Sequence, residues 1–400
     1  MTTPFLSCDD VLLALDRFIR AELPSETVPL EAALGRCLAE PVRSPVDVPL
    51  FSNSAMDGFA FRSEHLKAGG RVRLPVTGVA LAGHPFKGET DPRGALRIMT
   101  GAPVPDTFDT VIPFEHVIEA EGCIEFDASA VRPAANVRLQ GEEFHAGDEL
   151  IPAGAFLTPE AVGLAASAGR SELPCRQLRV VVFASGDELR EPGRELADGK
   201  IYNANAYLLT SLLRSWGADV EYLGILPDEF ETMRARLEEA ALRCDLLLTS
   251  GGVGEGDKDL VGRVVGETGE LHHVHVKQRP GKPLSYGRIG RAYFMALPGN
   301  PAACAVSAHL YVRRAVERLC GATPSPLVDA VVTTTTKLKG RIGRTDCIRG
   351  HLDETGFAAS PRSASSTLAG LNDADVLALL PENCAGLEPG EAVRVKLLRR

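Results

Sequence analysis

The stretch LLLTSGGVGEGDKDL, residues 246–260, determines how the central part of the chain is interpreted. An apolar run typical of a buried strand leads into a loop with glycines at 251, 252, 254 and 256. Backbone N–H groups of such a loop can point at an anion, because the loop lies where a helix begins after a strand. The loop also carries Glu255, Asp257 and Asp259, which would repel a phosphate. A bridging Mg²⁺ reconciles these features, since Mg²⁺ binds one or two carboxylates together with phosphate oxygens.

A purely structural turn is the alternative interpretation of this loop. Clustered glycines alone are weak evidence for a ligand. The loop matches neither the Walker A pattern nor G-x-G-x-x-G, because no lysine and hydroxyl residue follow Gly256 at the required spacing. The neighbouring loops therefore decide between a ligand site and a turn.

Strand and helix patterns alternate on both sides of this loop. Apolar runs predict strands at 178–184, 219–223, 245–249 and 272–276. Helical patterns separate them at 204–216, 229–242 and 259–267. The alternation predicts a Rossmann-like parallel sheet, covered on both faces, that binds ligands at the carboxyl ends of its strands.

The rest of the chain predicts further domains, so the fold class is multidomain α/β. Residues 1–44 plus 137–172 are predicted to be helical, with a capping box at Ser7–Asp10 and a second short helix between Leu30 and Leu38. Short β runs at 72–76, 97–99, 110–112 and 123–126 predict an inserted β domain over 45–136. The α/β domain then covers 173–321, and a C-terminal β domain covers 322–400.

Charge and cysteine usage exclude several classes of protein. The formal net charge is −10, from 43 basic and 53 acidic residues among 400. This charge argues against a protein that wraps nucleic acid or binds an anionic membrane. Nine scattered cysteines without a CxxC pair favour a reducing compartment. With no secretory leader and no apolar run of about 18 residues, we expect a soluble cytoplasmic protein.

Other loops at the same predicted sheet edge carry charged residues. Asp187 and Glu188 follow the strand at 178–184, and Asp228 precedes the helix at 229–242. Asp228 has an alternative role as the N-cap of that helix. Arg279 and Lys282 supply cations suited to phosphate, and residues 298–301, Pro-Gly-Asn-Pro, form a stiff turn into a helix. Glycines, acids and bases on several loops of one sheet favour a binding site over a structural turn.

Eight motifs of the chain occur together and in order in one known family. They are SNSAMDGFAF (52–61), IMTGAPVP (98–105), DTVIPFE (109–115), GEEFHAGDEL (141–150), SGDEL (185–189), TSGGVGEGDKD (249–259), PGKPL (280–284) and LPGNPAA (297–303). With them the chain resembles the molybdopterin molybdenumtransferase family, which includes MoeA and the E domain of gephyrin.

The resemblance implies a fold and a reaction. The fold is an elongated four-domain subunit with an elongated linker domain, a molybdopterin-binding α/β domain and a β-barrel-like C-terminal domain. The subunits form a homodimer, whose active cleft lies between the α/β domain of one subunit and the inserted β domain of the other. The enzyme is a molybdopterin molybdotransferase that inserts molybdate into adenylylated molybdopterin, with Mg²⁺-dependent release of AMP. Other molybdenum cofactor biosynthesis proteins are expected transfer partners.

The resemblance also assigns site residues. The catalytic candidates are Asp57, Thr100, Glu188, Asp228 and Lys282. The cofactor-binding candidates are Ser250, Gly251, Gly252, Asp257, Arg279, Pro298, Asn300, Pro301 and Arg349, and the metal candidates are Asp257 and Asp259. Arg279 stands where the family commonly has lysine, which changes the geometry of an oxyanion contact. Arg349 and the pair Ser365–Ser366 have an alternative interpretation as surface structure.

Two other functions fit parts of the sequence. A molybdopterin adenylyltransferase would share the glycine and acid loop, but would not need the 52–115 region or a C-terminal β domain. A noncatalytic dimeric scaffold would not need Asp57, Asp257 and Lys282 together. The sequence therefore favours the molybdenum insertase.

Overall fold

The computed structural model describes residues 3–20, 23–253, 260–361 and 368–398. The chain divides into two compact units. The first unit contains Met1–Glu40, Ala153–Pro159 and Glu172–Arg400, and the second contains Pro41–Pro152 and Glu160–Ser171. The α-helices of the described residues are Cys8–Phe18, Pro159–Ser167, Asn205–Ser215, Phe230–Ala241, Leu260–Thr268, Pro301–Ser307, Arg313–Leu319 and Ala369–Asn372. Short 3₁₀ turns lie at Leu30–Ala32, Ser63–Leu66, Phe114–His116 and Ala128–Ala130, and a π-helical turn at Ala308–Val312.

A seven-stranded sheet forms the centre of the described part of the first unit. Its strands, numbered here in chain order, are β1 (Phe5–Leu6), β2 (Arg179–Ser185), β3 (Asp219–Leu226), β4 (Leu246–Ser250), β5 (Gly269–Val276), β6 (Pro283–Ile289) and β7 (Ala292–Leu297). Their order across the sheet is β1-β5-β6-β7-β4-β2-β3. Neighbouring strands β7, β4, β2 and β3 are parallel, so their carboxyl ends lie at one edge.

The sheet is mixed, which corrects the prediction of a parallel sheet. Strand β6 runs antiparallel to both of its neighbours, β5 and β7. Only Gly290 and Arg291 separate β6 from β7. Two residues can close a hairpin, whereas a parallel pair needs a crossover of a dozen residues or more. The antiparallel strand therefore follows from the short connection.

Apolar residues on both faces of β2 explain why helices cover both sides of the sheet. Val180 and Val182 pack in one cluster with Leu12 and Leu15 of the first helix. Val181 and Phe183 pack in the opposite cluster, which includes Met233, Leu237 and Val264 from two other helices. Successive side chains of a strand point to opposite faces, so a continuous apolar run is buried on both.

The N-terminal helix begins as predicted. The Ser7 hydroxyl accepts from the Asp10 N–H at 3.1 Å, and the Asp10 carboxylate accepts from the Ser7 N–H at 3.3 Å. The predicted second helix between Leu30 and Leu38 is wrong, because the structure has only the 3₁₀ turn Leu30–Ala32 there. Gly35 has φ +76°, a left-handed conformation that ends a helical path.

The predicted β runs of the inserted region are strands of one sheet in the second unit. This six-stranded sheet has the order Thr110–Pro113, Gly58–Phe61, Ala95–Ile98, Arg71–Ala80, Cys123–Asp127 and Ile118–Ala120. Two smaller pairs join Asn53–Ser54 to Val137–Arg138 and Val42–Arg43 to Glu149–Ile151.

The C-terminal region of the first unit forms a further sheet. Its strands are Gln278–Arg279, Thr345–Asp353, Val376–Leu380, Ala392–Leu397 and Ala330–Thr333, in that order, and Gly356–Ala359 pairs with Thr345–Asp353. The remaining two-stranded pairs are Leu338–Lys339 with Gly386–Leu387, Ser25–Pro29 with Glu172–Arg176, and Leu189–Arg190 with Ile201–Tyr202. Because Gln278–Arg279 joins this sheet, Arg279 is held by the C-terminal strands.

Two further features bear on the class of protein. Among the described residues, every helix is too short or too polar to cross a membrane. The nine cysteines all lie in the described ranges, and each is a free thiol.

Candidate active site

Three carboxylates meet at the carboxyl edge of the central sheet. Asp187 and Glu188 follow β2, and Asp228 follows the adjacent parallel strand β3. The pKa of Asp228 is raised by partial burial and by the neighbouring Asp187 and Glu188 carboxylates. Like charges this close disfavour full ionisation. The arrangement is therefore one that a cation would relieve.

Asp228 is not the N-cap of the following helix. The cap is Glu229, whose carboxylate accepts from the N–H groups of Glu231 at 3.3 Å and Thr232 at 2.9 Å. The helix begins one residue later, at Phe230. The alternative interpretation of Asp228 as a cap is thus wrong, and its carboxylate is left for another role.

The turn after β4 brings Ser250, Gly251 and Gly252 to the same edge. Ser250 is 2% exposed, and its hydroxyl has no hydrogen-bond partner among the described residues. Gly251 and Gly252 have φ values of +90° and +71°. A Cβ on Gly251 would lie 2.4 Å from the Ser185 carbonyl oxygen, and one on Gly252 would lie 2.5 Å from Val261. Only glycine fits this turn.

The acids of the same loop lie outside the described residues. This applies to Asp257 and Asp259, the predicted metal residues, and equally to Ser365 and Ser366. Within the described ranges, there is no group of three or more His, Cys, Asp or Glu side chains that could hold a metal ion. Asp187, Glu188 and Asp228 by themselves are therefore not a complete metal site.

The Pro-Gly-Asn-Pro turn connects β7 to a helix. The Asn300 side-chain oxygen accepts from the N–H groups of Ala302 at 3.1 Å and Ala303 at 3.2 Å, and Pro301 is the first helical residue. Pro298 is buried directly after β7. The side chain of Asn300 thus caps the helix, and its contribution to binding is limited to its remaining groups.

Asn205 is a residue of this edge that the sequence did not single out. Its amide nitrogen donates to the Gly299 carbonyl oxygen at 2.9 Å. Its amide oxygen is buried and has no partner among the described residues. Buried polar atoms are normally paired, so this oxygen marks Asn205 as an additional candidate contact. The sequence places Asn205 at the second position of the predicted helix 204–216, and the observed helix begins at this residue.

The two predicted cations lie close together in the chain and are both exposed. Lys282 precedes β6, and its Nζ lies 4.9 Å from the centre of the Phe5 ring. The loop between Arg279 and Lys282 is held by Gln278, whose amide nitrogen donates to the carbonyl oxygens of Pro280 at 3.1 Å and Gly281 at 2.9 Å. A tethered loop keeps both cations at the end of a strand, where they are free to meet an anion.

Arg349 lies in the interior. It is 2% exposed in the strand Thr345–Asp353, and desolvation lowers the pKa of its guanidinium. The alternative interpretation of Arg349 as surface structure is therefore wrong. Its predicted contact with an anion remains a prediction.

Asp57 and Thr100 meet in the second unit. One Asp57 carboxylate oxygen accepts from both the N–H of Thr100 at 2.7 Å and its hydroxyl at 2.8 Å. These bonds, the backbone one first, lower the pKa of Asp57. Antiparallel pairing of Gly58 with Ile98 brings the two residues together. Asp57 is exposed and held in one orientation as a charged carboxylate.

The predicted site residues thus form two groups, one in each unit. The first unit holds Glu188, Asp228 and Lys282 with the glycine turn, and the second unit holds Asp57 with Thr100. Each group contains one acid whose pKa is shifted, upward for Asp228 and downward for Asp57, and shifted pKa values are typical of functional sites. A mixed α/β protein of several domains with acids and a glycine turn at the carboxyl edge of its main sheet is the class these observations define.

Comparison with known families identifies all three parts of the chain. Residues 6–169 match the MoeA N-terminal region (domain I and II). Residues 182–318 match a probable molybdopterin binding domain, and residues 331–398 match the MoeA C-terminal region (domain IV).

Individual relatives agree with these matches. The molybdopterin molybdenumtransferase of Haemophilus influenzae is 37% identical over 83% of this chain and 83% of its own length. Molybdopterin molybdenumtransferase 2 of Mycobacterium tuberculosis is 34% identical over 92% of this chain and 94% of its own. The crystal structure of the molybdopterin biosynthesis MoeA protein from Pyrococcus horikoshii OT3 is 25% identical, covers 98% of this chain and 100% of that one, and superposes with a TM-score of 0.82.

The chain therefore belongs to the molybdopterin molybdenumtransferase family and is a transferase of molybdenum cofactor biosynthesis. The resemblance drawn from the eight motifs is confirmed. The multidomain, mixed α/β fold rich in sheet is that of MoeA.

Proposed function

We propose that this protein inserts molybdenum from molybdate into adenylylated molybdopterin and releases AMP in a Mg²⁺-dependent reaction. The observation that supports this most strongly is the meeting of Asp187, Glu188 and Asp228 beside the Ser250–Gly252 turn. Backbone N–H groups of a glycine turn suit a phosphate, and carboxylates suit a cation that binds to it. The pairing matches the pyrophosphate linkage of an adenylylated pterin.

The donor set fits Mg²⁺. The ion prefers carboxylate oxygens, phosphate oxygens and water, and it binds few carboxylates at once. We propose that Asp257 and Asp259 bind the ion, and that Glu188 and Asp228 lie in the same cleft and stabilise its charge. When bound, Mg²⁺ would neutralise negative charge on the pyrophosphate oxygens and so favour cleavage of the pyrophosphate linkage.

Lys282 and Arg279 have a separate role in the proposal. Both are exposed cations on a tethered loop. Molybdate and the departing AMP are oxyanions, and their charge is stabilised by cationic groups. We propose that Lys282 meets the leaving phosphate and that Arg279 meets molybdate. Ser250, Pro298, Pro301 and Arg349 complete the proposed binding residues.

Asp57 supplies the acid of the second unit. Its carboxylate stays ionised, because two hydrogen bonds from Thr100 lower its pKa. We propose that the charged Asp57 accepts a proton or a hydrogen bond from the substrate and that Thr100 fixes its orientation. A homodimer, a cytoplasmic location and delivery of the pterin by other biosynthetic proteins complete the proposal. Sedimentation of the purified protein tests the dimer.

Turnover of defined substrates tests the proposed reaction. Purified protein is incubated with adenylylated molybdopterin, molybdate and Mg²⁺, and AMP and active cofactor are measured. We expect both products from the wild type and much slower formation of both from Asp228→Asn at the same Mg²⁺ concentration. Asp198→Asn, an exposed acid with the same loss of charge, is the matched control and should keep full activity.

Two other outcomes of this assay would contradict the proposal. Adenylylation of free molybdopterin with ATP would identify an adenylyltransferase instead. Absence of product with either substrate, from a folded dimer, would identify a noncatalytic scaffold.

A further inference from the structure

The loop that carries Asp187 and Glu188 is tied to the neighbouring strand by a cluster around Glu191. One carboxylate oxygen of Glu191 accepts from the Tyr222 hydroxyl at 2.6 Å, and the other accepts from the Tyr207 hydroxyl at 3.0 Å. The amide nitrogen of Asn203 donates to Tyr222 at 2.6 Å and to Glu191 at 3.3 Å. Donation to Glu191 also raises the pKa of the Tyr207 hydroxyl.

These contacts join two segments that carry the site carboxylates. Glu191 follows Glu188 by three residues, while Tyr222 lies on β3, which leads to Asp228. The Glu191–Tyr222 hydrogen bond is therefore a direct link between the two segments. Asn203 is 1% exposed, so the amide that donates to both Glu191 and Tyr222 is buried.

Backbone bonds complete the loop on its own side. The Ile201 N–H donates to the Glu188 carbonyl at 2.9 Å, and the Asn203 N–H donates to the Arg190 carbonyl at 2.8 Å. The parallel pair Leu189–Arg190 with Ile201–Tyr202 follows from these bonds. These bonds hold the backbone around Glu188 and Arg190, directly before Glu191, against the segment Ile201–Asn203.

The hydrogen bonds to Glu191 oppose the repulsion between the site carboxylates. Without a cation, Asp187 and Glu188 repel Asp228, because like charges at short range are unfavourable. A loop held only by its own backbone would move away from β3. Hydrogen bonds to a charged acceptor are stronger than neutral ones and can hold the loop in place.

We infer that Glu191 is a positioning residue that holds the Asp187–Glu188 loop against β3 in the arrangement that receives Mg²⁺ and the substrate pyrophosphate. This inference rests on the proposed function for its consequence, but the link itself is a property of the free protein. Tyr222, Tyr207 and Asn203 act through Glu191, and none of the four needs to touch the substrate.

Hydrogen–deuterium exchange of the free, full-length protein tests the link. Glu191→Gln and Tyr222→Phe should raise exchange in peptides covering residues 186–203, where the Ile201 and Asn203 amides lie. Tyr293→Phe is the matched control, because the Tyr293 hydroxyl accepts from the Arg20 N–H at 3.0 Å, outside the measured loop. Unchanged exchange in both cluster variants would overturn the inference.

The Mg²⁺ dependence of AMP release tests the consequence. In Glu191→Gln and Tyr222→Phe we expect the half-saturating Mg²⁺ concentration to rise roughly tenfold, the effect of losing one hydrogen bond to a charged group, with kcat at saturation retained. The double variant should show less than the sum of the two effects, since both single changes weaken the same bond. Raised exchange with a wild-type Mg²⁺ dependence would overturn the positioning role.

Failure of the proposed function would be distinguishable from failure of the inference about Glu191. In that case the wild type would release no AMP at any Mg²⁺ concentration, and the exchange data alone would decide whether Glu191 holds the loop. If Glu191→Gln failed to fold, Tyr207→Phe, which removes one hydroxyl on an exposed side chain, would make the same test with a smaller effect.

Discussion

Adding one methyl group at Gly251 should damage the site in a way that can be calculated from its geometry. The new Cβ would lie 2.4 Å from the Ser185 carbonyl oxygen, and the residue has φ +90°. Left-handed strain in a non-glycine residue costs about 1–3 kcal/mol. Relief of the overlap, treated as overpacking, adds about 1–3 kcal/mol. We therefore expect Gly251→Ala to lower the free energy of unfolding by about 2–6 kcal/mol.

Gly193→Ala is the matched control for this change. Gly193 has φ +85°, and nothing lies within 4 Å of its added Cβ. The control therefore contains the backbone strain and the altered entropy of the unfolded chain, but not the collision. The difference between the two variants isolates the contact with Ser185.

Urea unfolding followed by tryptophan fluorescence measures this difference. Trp216, the single tryptophan of the chain, lies in the same unit as both glycines. Because Ser185 leads into Asp187 and Glu188, Gly251→Ala should also raise the KM for adenylylated molybdopterin, whereas Gly193→Ala should not. Equal free energies of unfolding and equal KM values for the two variants would show that the contact with Ser185 has no effect.

Three other predictions concern single residues. Thr100→Val removes the hydroxyl bond to Asp57 and keeps the N–H bond, so AMP release should slow roughly tenfold, and an unchanged kcat would count against Asp57. Asn300→Ala removes a helix cap and should lower the free energy of unfolding by about 1 kcal/mol in urea. Burial lowers the pKa of His309 from 6.5 to about 4. The unfolded chain therefore binds a proton first, and stability should fall by about 3 kcal/mol as pH drops from 6.5 to 4, a loss that His309→Gln should abolish in urea unfolding.

The elements that the sequence predicted are those set by local patterns. The run at 178–184 is buried on both faces, so its apolar continuity alone indicates a strand. The Ser7–Asp10 capping box is likewise local, because its bonds span three residues. Such features depend on neighbours in the chain and need no knowledge of the rest of the fold.

Features that depend on distant residues were missed or wrong. The direction of β6 is set by its hairpin with β7, a segment for which no strand had been predicted. Glu229 rather than Asp228 caps its helix, because Glu229 is the extended residue directly before Phe230 and its carboxylate reaches the N–H groups of Glu231 and Thr232. The cluster around Glu191 joins residues up to 31 positions apart, and no spacing in the sequence marks it.

The candidate site shows the same division. Asp57 and Thr100 are 43 residues apart, and family resemblance rather than local pattern brought them together before the structure did. The glycine turn was predicted from its own residues, and its positive φ values agree. The side-chain oxygen of Asn205, which has no partner among the described residues, could not be predicted from the sequence, because it depends on the hydrogen bond from the Asn205 amide nitrogen to the Gly299 carbonyl.

The Mg²⁺ dependence of the proposed reaction is tested most directly by measuring AMP release from adenylylated molybdopterin during a Mg²⁺ titration that begins from thorough chelation. We expect no release under chelation, saturable recovery as Mg²⁺ is added, and a large shift of that curve in Glu188→Gln and Asp228→Asn. Release at the full rate under chelation, or identical curves for both variants and the wild type, would contradict it.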